Sequence, residues 1–177
     1  MYKTIAFTGH RPKDLDSRFG YDYTSPGWRC VIDTIKNAIK YYKTERVIVG
    51  GAQGLDTAAA LAALELKSGG YPITIQLEVP FLGQEREWSS DAQVLYKYIL
   101  EHADKRRILS NTYTGKYLYQ GRNESMVNQS DLVITLWNGK TNGGTYNTLS
   151  YANKQGKPCI NIYKRVMTLL DVVKKSV

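Results

Sequence analysis

The chain has 177 residues, of which 42% are hydrophobic and 23% are charged, proportions typical of a protein that buries one hydrophobic core. No apolar stretch approaches the roughly 20 residues that a membrane-spanning helix needs, and the N-terminus lacks the pattern of a secretory signal. Two cysteines, Cys30 and Cys159, are too few for a disulfide framework or a zinc cluster. We therefore expect a cytoplasmic protein that forms a single domain over residues 1–177.

Positive charge is concentrated in the second half of the chain. Residues 1–90 carry 11 basic and 10 acidic side chains, whereas residues 91–177 carry 13 basic and 6 acidic ones, so the net charges of the halves are +1 and +7. An excess of this size favours an anionic partner, which could be nucleic acid, a nucleotide or a phosphorylated metabolite. A basic surface without such a partner would have the same composition, so charge alone does not identify a ligand.

Short apolar runs alternate with helical patterns along the chain, which is typical of a parallel sheet covered by helices. The predicted strands are 4–8, 46–49, 72–79, 107–109, 131–137 and 159–163. The predicted helices are 28–42 with Ser25 as its cap, 56–67, 90–102, one that follows 143–145 and ends near 156, and 167–174, with a helical turn over 123–129. This order predicts a Rossmann-like, doubly wound, mostly parallel α/β sheet, whose ligand crevice lies at the carboxyl ends of the strands.

Three of the predicted strands end in polar or glycine-containing segments that suit a phosphate or a ribose. Glycine-rich turns before a helix expose backbone N–H groups and a helix N-terminus, which together attract anions. The spacing matches neither the dinucleotide fingerprint nor a P-loop. Asp56 could cap its helix or accept a hydrogen bond from a ribose. The candidate ligand-binding residues of the three segments are Thr8, Gly9, His10 and Arg11; Gly50, Gly51, Ala52, Gln53, Gly54 and Asp56; and Trp137, Asn138, Gly143, Gly144, Thr145 and Asn147.

The same segments also carry a resemblance to a known family. They occur in order with Pro80-Phe81, Gln84-Glu85 and Trp88, with Arg122-Asn123 and Met126, and with Ser130-Asp131. Over residues 2–163 the sequence resembles the YpsA-like family of the SLOG superfamily, which also includes the LOG phosphoribohydrolases and the DNA-processing protein DprA. The resemblance implies a Rossmann-like fold and a nucleotide or ADP-ribose-like ligand, sensed or sequestered. It adds Gln84, Trp88, Arg122 and Asn123 to the candidate ligand-binding residues, with Arg122 neutralising phosphate charge.

Enzymatic activity stays open at this point. LOG enzymes carry a catalytic glutamate three residues after the threonine of a Gly-Thr pair, and here Thr148 stands where that glutamate would be. Hydrolysis of an N-glycosidic bond would need another group, for which Arg122, Asp56 and Glu85 are candidates.

Two further alternatives concern partners. The basic stretch 105–122 contains Tyr113, Tyr117 and Tyr119, and basic residues interleaved with aromatic ones also suit single-stranded nucleic acid. Self-association is plausible for this superfamily, so a homo-oligomer is possible. His10 and His102 are the only histidines, and no cluster has metal-ligand spacing. We expect no metal site and no cofactor.

Overall fold

The computed structural model describes residues 1–175, and its six strands form one parallel sheet; the last two residues of the predicted domain lie outside the described part. The strands are β1 (Thr4–Gly9), β2 (Arg46–Val49), β3 (Thr74–Val79), β4 (Lys105–Ile108), β5 (Leu132–Leu136) and β6 (Cys159–Asn161). Their order across the sheet is β4-β3-β2-β1-β5-β6, and every neighbouring pair is parallel. Strands β2 to β4 are added on one side of β1, and β5 and β6 are added on its other side, so the strand order switches between β1 and β5, as in a Rossmann-like fold. The predicted fold class is confirmed.

Helices cover both faces of this sheet. They are α1 (Pro26–Tyr42), α2 (Leu55–Ser68), α3 (Ser90–His102), α4 (Tyr117–Asn128), α5 (Gly144–Lys154) and α6 (Tyr163–Lys175), with a short 3₁₀ helix at Pro12–Asp14. Side chains of α1, α2, α3 and α6 share one core with the sheet, whereas α4 and α5 pack on the opposite face. Among the described residues, no helix combines the length and apolar character needed to cross a bilayer.

The central strands are apolar on both faces because both faces are covered. In β1, Ile5 and Phe7 enter the larger core, while Ala6 packs against Met126 of α4 on the other side. All three are at most 1% exposed. Strands buried on both faces show continuous apolar runs instead of alternation, which is why β1, β2 and β5 were the most readable strands in the sequence.

The helix α4 is longer than the sequence indicated. The pattern predicted a helical turn over 123–129, whereas the helix begins at Tyr117 and ends at Asn128. Its residues are mostly polar and include Gly121, and no side chain caps its N-terminus, so neither periodicity nor a cap marked its start. Tyr117, Tyr119 and Arg122 therefore lie on a helix and not in a loop.

Candidate functional site

A cleft of about 320 Å³ opens at the carboxyl ends of β1, β2 and β5, which are neighbours in the sheet. All three glycine-containing segments contribute to its wall, and α4 closes one side. The topological switch between β1 and β5 lies here, where ligands bind in open α/β sheets. The predicted site residues in the wall are Thr8, Gly9, His10, Arg11, Ala52, Gln53, Asp56, Arg122, Asn123, Gly143, Gly144 and Thr145.

The loop between β2 and α2 owes its shape to glycines. Gly51 and Gly54 have φ angles of +68° and +99°, a region that side chains with a Cβ avoid. A Cβ on Gly54 would lie 2.3 Å from the backbone oxygen of His10, so glycine lets the first two segments touch. The N–H of Gly54 donates to the Tyr23 hydroxyl at 2.6 Å, which fixes the loop from the other side.

Asp56 ties this loop together from inside and is not the helix cap. Gly54 occupies the N-cap position of α2. The carboxylate of Asp56, in the first turn, accepts a hydrogen bond from the N–H of Ala52 at 3.2 Å. Burial raises the pKa of Asp56, opposed by the nearby charge of Arg122 and by backbone N–H groups of the loop. The carboxylate is therefore already engaged with the protein on one oxygen.

The second partner of Asp56 is Arg122, and the two side chains form a buried pair. Nη1 of Arg122 lies 3.5 Å from Oδ2 of Asp56, and the side chains are 7% and 10% exposed. Burial lowers the pKa of Arg122, opposed by the negative charge of Asp56. Nε and Nη1 of Arg122 are buried without a hydrogen-bond partner among the described residues. Unpaired donors of this kind are rare in proteins because each costs free energy.

Gly50 provides the space for this guanidinium. A Cβ at residue 50 would lie 1.4 Å from Nη1 and 2.2 Å from Cζ of Arg122. With Arg122 in this position only glycine fits at residue 50, so the first glycine of the Gly50-Gly51 pair makes room for a side chain of α4. Sequence reasoning gave Gly50 a phosphate-binding role, and the structure places it behind Arg122, outside the cleft wall.

Two helix N-termini meet at the cleft. The N-cap positions of α2 and α5 are Gly54 and Gly143, and neither helix has a side-chain cap. Gly144 and Thr145, at the start of α5, lie in the wall. Uncapped N-termini leave backbone N–H groups free and carry partial positive charge. Both features favour an anion in the space between them.

His10 and Asn138 connect the first and third segments. Nε2 of His10 lies 2.8 Å from Oδ1 of Asn138, which also accepts from the N–H of Lys140. Nδ2 of Asn138 donates to the backbone oxygen of Asp14 at 3.2 Å. Asn138 is outside the cleft wall, so its polar groups hold the two loops at a fixed separation.

Other residues singled out from the sequence also lie outside the cleft. Gln84 is buried behind the loop, where Nε2 donates to the Tyr96 hydroxyl at 3.2 Å. Trp137 stacks against Tyr146, with ring centroids 6.3 Å apart. Those that contribute no atom to the cleft wall are Gly50, Gly51, Gly54, Gln84, Glu85, Trp88, Trp137, Asn138 and Asn147.

Sequence reasoning missed six lining residues: Phe7, Lys13, Asp14, Tyr119, Lys140 and Asn142. Tyr119 stands three residues before Arg122 on α4, on the same helix face, and a correct start for that helix would have found it. Among the described residues, the charged side chains of the wall are Arg11, Lys13, Arg122 and Lys140 against Asp14 and Asp56, so the cleft is basic.

Thr148 offers no replacement for the missing glutamate. Its side chain is buried, and Oγ1 donates to the backbone oxygen of Gly144 at 2.7 Å, one turn earlier in α5. Within the described residues, the carboxylates of the cleft wall are Asp14 and Asp56.

Solved structures that resemble the chain share its fold. DprA from Streptococcus pneumoniae matches with a TM-score of 0.60 and 19% identity, covering 89% of this chain and 52% of its own, so the chain spans about half of that protein. DprA from Helicobacter pylori, described for its single-stranded DNA binding mode, matches with a TM-score of 0.57 and 16% identity over 98% of this chain and 80% of its own.

Sequence relatives are bacterial proteins of similar length. A UPF0398 protein of Bacillus cereus strain B4264 is 26% identical over 159 residues, covering 88% of this chain and 85% of the relative. The SPbeta prophage-derived protein YoqJ of Bacillus subtilis strain 168 is 31% identical over 137 residues, covering 70% and 78%. The model of the YspA SLOG family matches residues 5–168. Because that match spans nearly the whole chain, this protein belongs to the YpsA family of SLOG proteins.

Proposed function

We propose that this protein binds a nucleotide or a nucleotide-derived metabolite, such as ADP-ribose or a nucleoside monophosphate, through a phosphate seated against Arg122. The observation that carries the proposal is the buried guanidinium with two unpaired nitrogens beside a basic cleft. A phosphate in the cleft would neutralise this guanidinium and accept hydrogen bonds from it, and bonds of this charge-assisted kind are about twice as strong as neutral ones.

The surroundings of Arg122 support a phosphate more than a carboxylate. Uncapped N-termini of α2 and α5 supply backbone donors on two sides, and Arg11, Lys13 and Lys140 add positive charge. Helix N-termini combined with cations are common phosphate sites. Hydroxyl and amide groups of Thr8, Gln53 and Asn123 in the wall suit a ribose.

The direct test is calorimetric titration with AMP, ADP-ribose, NAD, ATP and inorganic pyrophosphate. Arg122→Ala should weaken binding of the tightest of these by about 10- to 150-fold, the equivalent of one charge-assisted contact. Arg165→Ala, which removes an exposed arginine of α6 outside the cleft, is the matched control and should bind like wild type. Equal affinity of wild type and Arg122→Ala would rule out the phosphate position.

A binding protein and an N-glycosidic hydrolase would use the same cleft, and the titrated samples separate them. Asp56, whose pKa is raised by burial, is the carboxyl group closest to Arg122. If free base accumulates with wild type and not with Asp56→Asn, the protein is a hydrolase. Intact ligand after prolonged incubation supports a sensor or sequestering role.

Single-stranded nucleic acid is the second candidate ligand. Lys105, Arg106 and Arg107 of the edge strand β4 are exposed, and the structural neighbour from Helicobacter pylori is described as binding single-stranded DNA. This function predicts affinity that rises with oligonucleotide length and falls steeply with salt. Affinity for a mononucleotide equal to that for long oligonucleotides would exclude it as the main role.

A further inference from the structure

We propose that a second chamber beside the cleft binds an aromatic base, so that the ligand is a dinucleotide: two nucleosides joined through phosphates, with the phosphates near Arg122. This inference rests on the proposed function and specifies its ligand class. The chamber has a volume of about 610 Å³ and lies between the start of α3, the outer face of α2 and the loop before α1.

Shared wall residues connect the cleft with the chamber, and we call the combined space the groove. A junction of about 150 Å³ lies between them. Arg11 and Lys13 line both the cleft and the junction, while Tyr21 and Trp88 line both the junction and the chamber. Gln53 lines all three spaces. A ligand can therefore run from Arg122 to the chamber without leaving the groove.

The aromatic side chains of the groove, Trp88 and Tyr21, stand where the junction meets the chamber. Trp88 is held by an edge contact with Tyr96, with centroids 5.4 Å apart, and by a hydrogen bond from the Gln93 side chain to its backbone oxygen. Tyr21 is 67% exposed although it borders the chamber. Leu61 and Leu95 add apolar surface. Aromatic side chains that border such a space can stack on a nucleobase, whichever base it is.

Charge along the groove sets the orientation of the ligand. The junction carries Arg11 and Lys13, whereas the chamber carries Asp22, Glu65 and Asp91 with Arg29. Hydrogen bonds from Thr24 lower the pKa of Asp22, and the hydrogen bond from Arg29 holds the pKa of Glu65 at about 2.

The lowered pKa values keep Asp22 and Glu65 ionised at neutral pH, and a carboxylate accepts hydrogen bonds only. Glu65 is engaged by Arg29 and Lys36, so the other carboxylates of the chamber, Asp22 and Asp91, are those that repel phosphate and favour the N–H groups of a base or a cationic ring. The pattern therefore places phosphates in the cleft and junction and the second base in the chamber.

The volumes of the cleft and the chamber also favour a dinucleotide. Pockets of about 300–1,000 Å³ hold one small organic ligand, so the cleft alone can take one nucleotide end, and the chamber of about 610 Å³ has room for another nucleoside. We therefore expect a mononucleotide anchored at Arg122 to leave the aromatic chamber empty.

The experiment compares AMP with diadenosine diphosphate and NAD by calorimetry and by tryptophan fluorescence. We expect the dinucleotides to bind more tightly than AMP and to quench the fluorescence of Trp88. Trp88→Leu and Tyr21→Leu should each weaken dinucleotide binding by about 5- to 150-fold, the loss of one base stack, and should leave AMP affinity unchanged. Tyr41→Leu, which removes a 78% exposed tyrosine of α1 outside the groove, is the matched control.

Each outcome has one meaning. If AMP and the dinucleotides bind with equal affinity and neither aromatic variant changes these affinities, the inference is wrong. The proposed function still holds in that case if AMP binding depends on Arg122. If Trp88→Leu and Tyr21→Leu weaken AMP as well, the chamber holds the base of a mononucleotide and the dinucleotide is wrong. If oligonucleotides bind progressively more tightly with length, the groove is a nucleic-acid channel. If Arg122→Ala changes nothing, the proposed function itself fails. Tyr21 is exposed, so its variant keeps the test valid even if Trp88→Leu unfolds.

Discussion

The Gly50→Ala substitution tests the link between the glycine pair and Arg122. The added Cβ would lie 1.4 Å from Nη1, so the guanidinium must leave its buried position beside Asp56. Because the clashing atoms are the end of a flexible side chain, the fold can accommodate the change by moving Arg122. We expect the free energy of unfolding to fall by about 1–3 kcal/mol, the range for an overpacked site.

Gly50→Ala should affect ligand binding more than it affects stability. A displaced Arg122 loses its phosphate contact, so the affinity for the tightest nucleotide should fall by about 10- to 150-fold. Urea unfolding measures the stability of wild type, Gly50→Ala, Arg122→Ala and the double variant, and calorimetry measures their binding. Once Arg122 is absent the new Cβ meets no guanidinium, so Gly50→Ala should cost little in the double variant, giving a coupling energy of about 1 kcal/mol or more.

Gly121→Ala is the matched control for this pair. Gly121 immediately precedes Arg122 in α4, and its added Cβ would come no closer than 3.9 Å to another side chain, that of Leu109. Alanine inside a helix is favoured over glycine by about 1 kcal/mol, so this variant should be slightly more stable and should bind normally. Additive effects of Gly50→Ala and Arg122→Ala on stability and binding would refute the argument that Gly50 exists to seat Arg122.

Three further substitutions test the architecture around the cleft. Gly54→Ala should reduce the free energy of unfolding by at least about 2 kcal/mol, because its Cβ would meet the backbone oxygen of His10 at 2.3 Å. The control is Gly70→Ala, also at positive φ but with no atom within 4 Å of the added Cβ, which should cost about 1 kcal/mol. Equal losses in the two variants would contradict the contact with His10. Glu78→Gln should cost about 1–3 kcal/mol. Both oxygens of this fully buried carboxylate accept hydrogen bonds, from Gln76, Gln129 and Ser125, and an amide nitrogen would replace one of these acceptors. A change under about 0.5 kcal/mol in urea unfolding would argue against this role. Glu65 has a pKa of about 2, below its ordinary 4.5, so its contribution to stability is complete above pH 4.5 and is lost as the pH falls through 2. Because the side chain is 37% exposed, Glu65→Gln should cost only about 1 kcal/mol at pH 7 and progressively less as the pH falls toward 2. A loss of stability that does not depend on pH would refute this linkage.

The order of the strands and most helices could be read from local pattern. Strand β2 and helix α3 have the predicted bounds, and Ser25 caps α1 as expected, with its side chain accepting from the N–H of Trp28. These features depend on short-range chemistry: buried parallel strands are continuously apolar, and a cap binds the helix N–H groups nearest to it. The helix α4 and the exposed edge strand β4, which carries Lys105, Arg106 and Arg107, lack an apolar signal, so their bounds were shifted.

The sequence alone determined that polar or glycine-containing segments stand at the ends of β1, β2 and β5, because turns and helix starts depend on neighbouring residues in the chain. It could not determine which groups those segments turn toward the ligand. That Gly50 makes room for Arg122, that Asp56 pairs with the same arginine, and that Trp88 lines a second chamber all depend on residues separated by tens of positions. Such contacts are set by how α4, α2 and α3 pack on the sheet, which is a property of the whole fold and of no single segment.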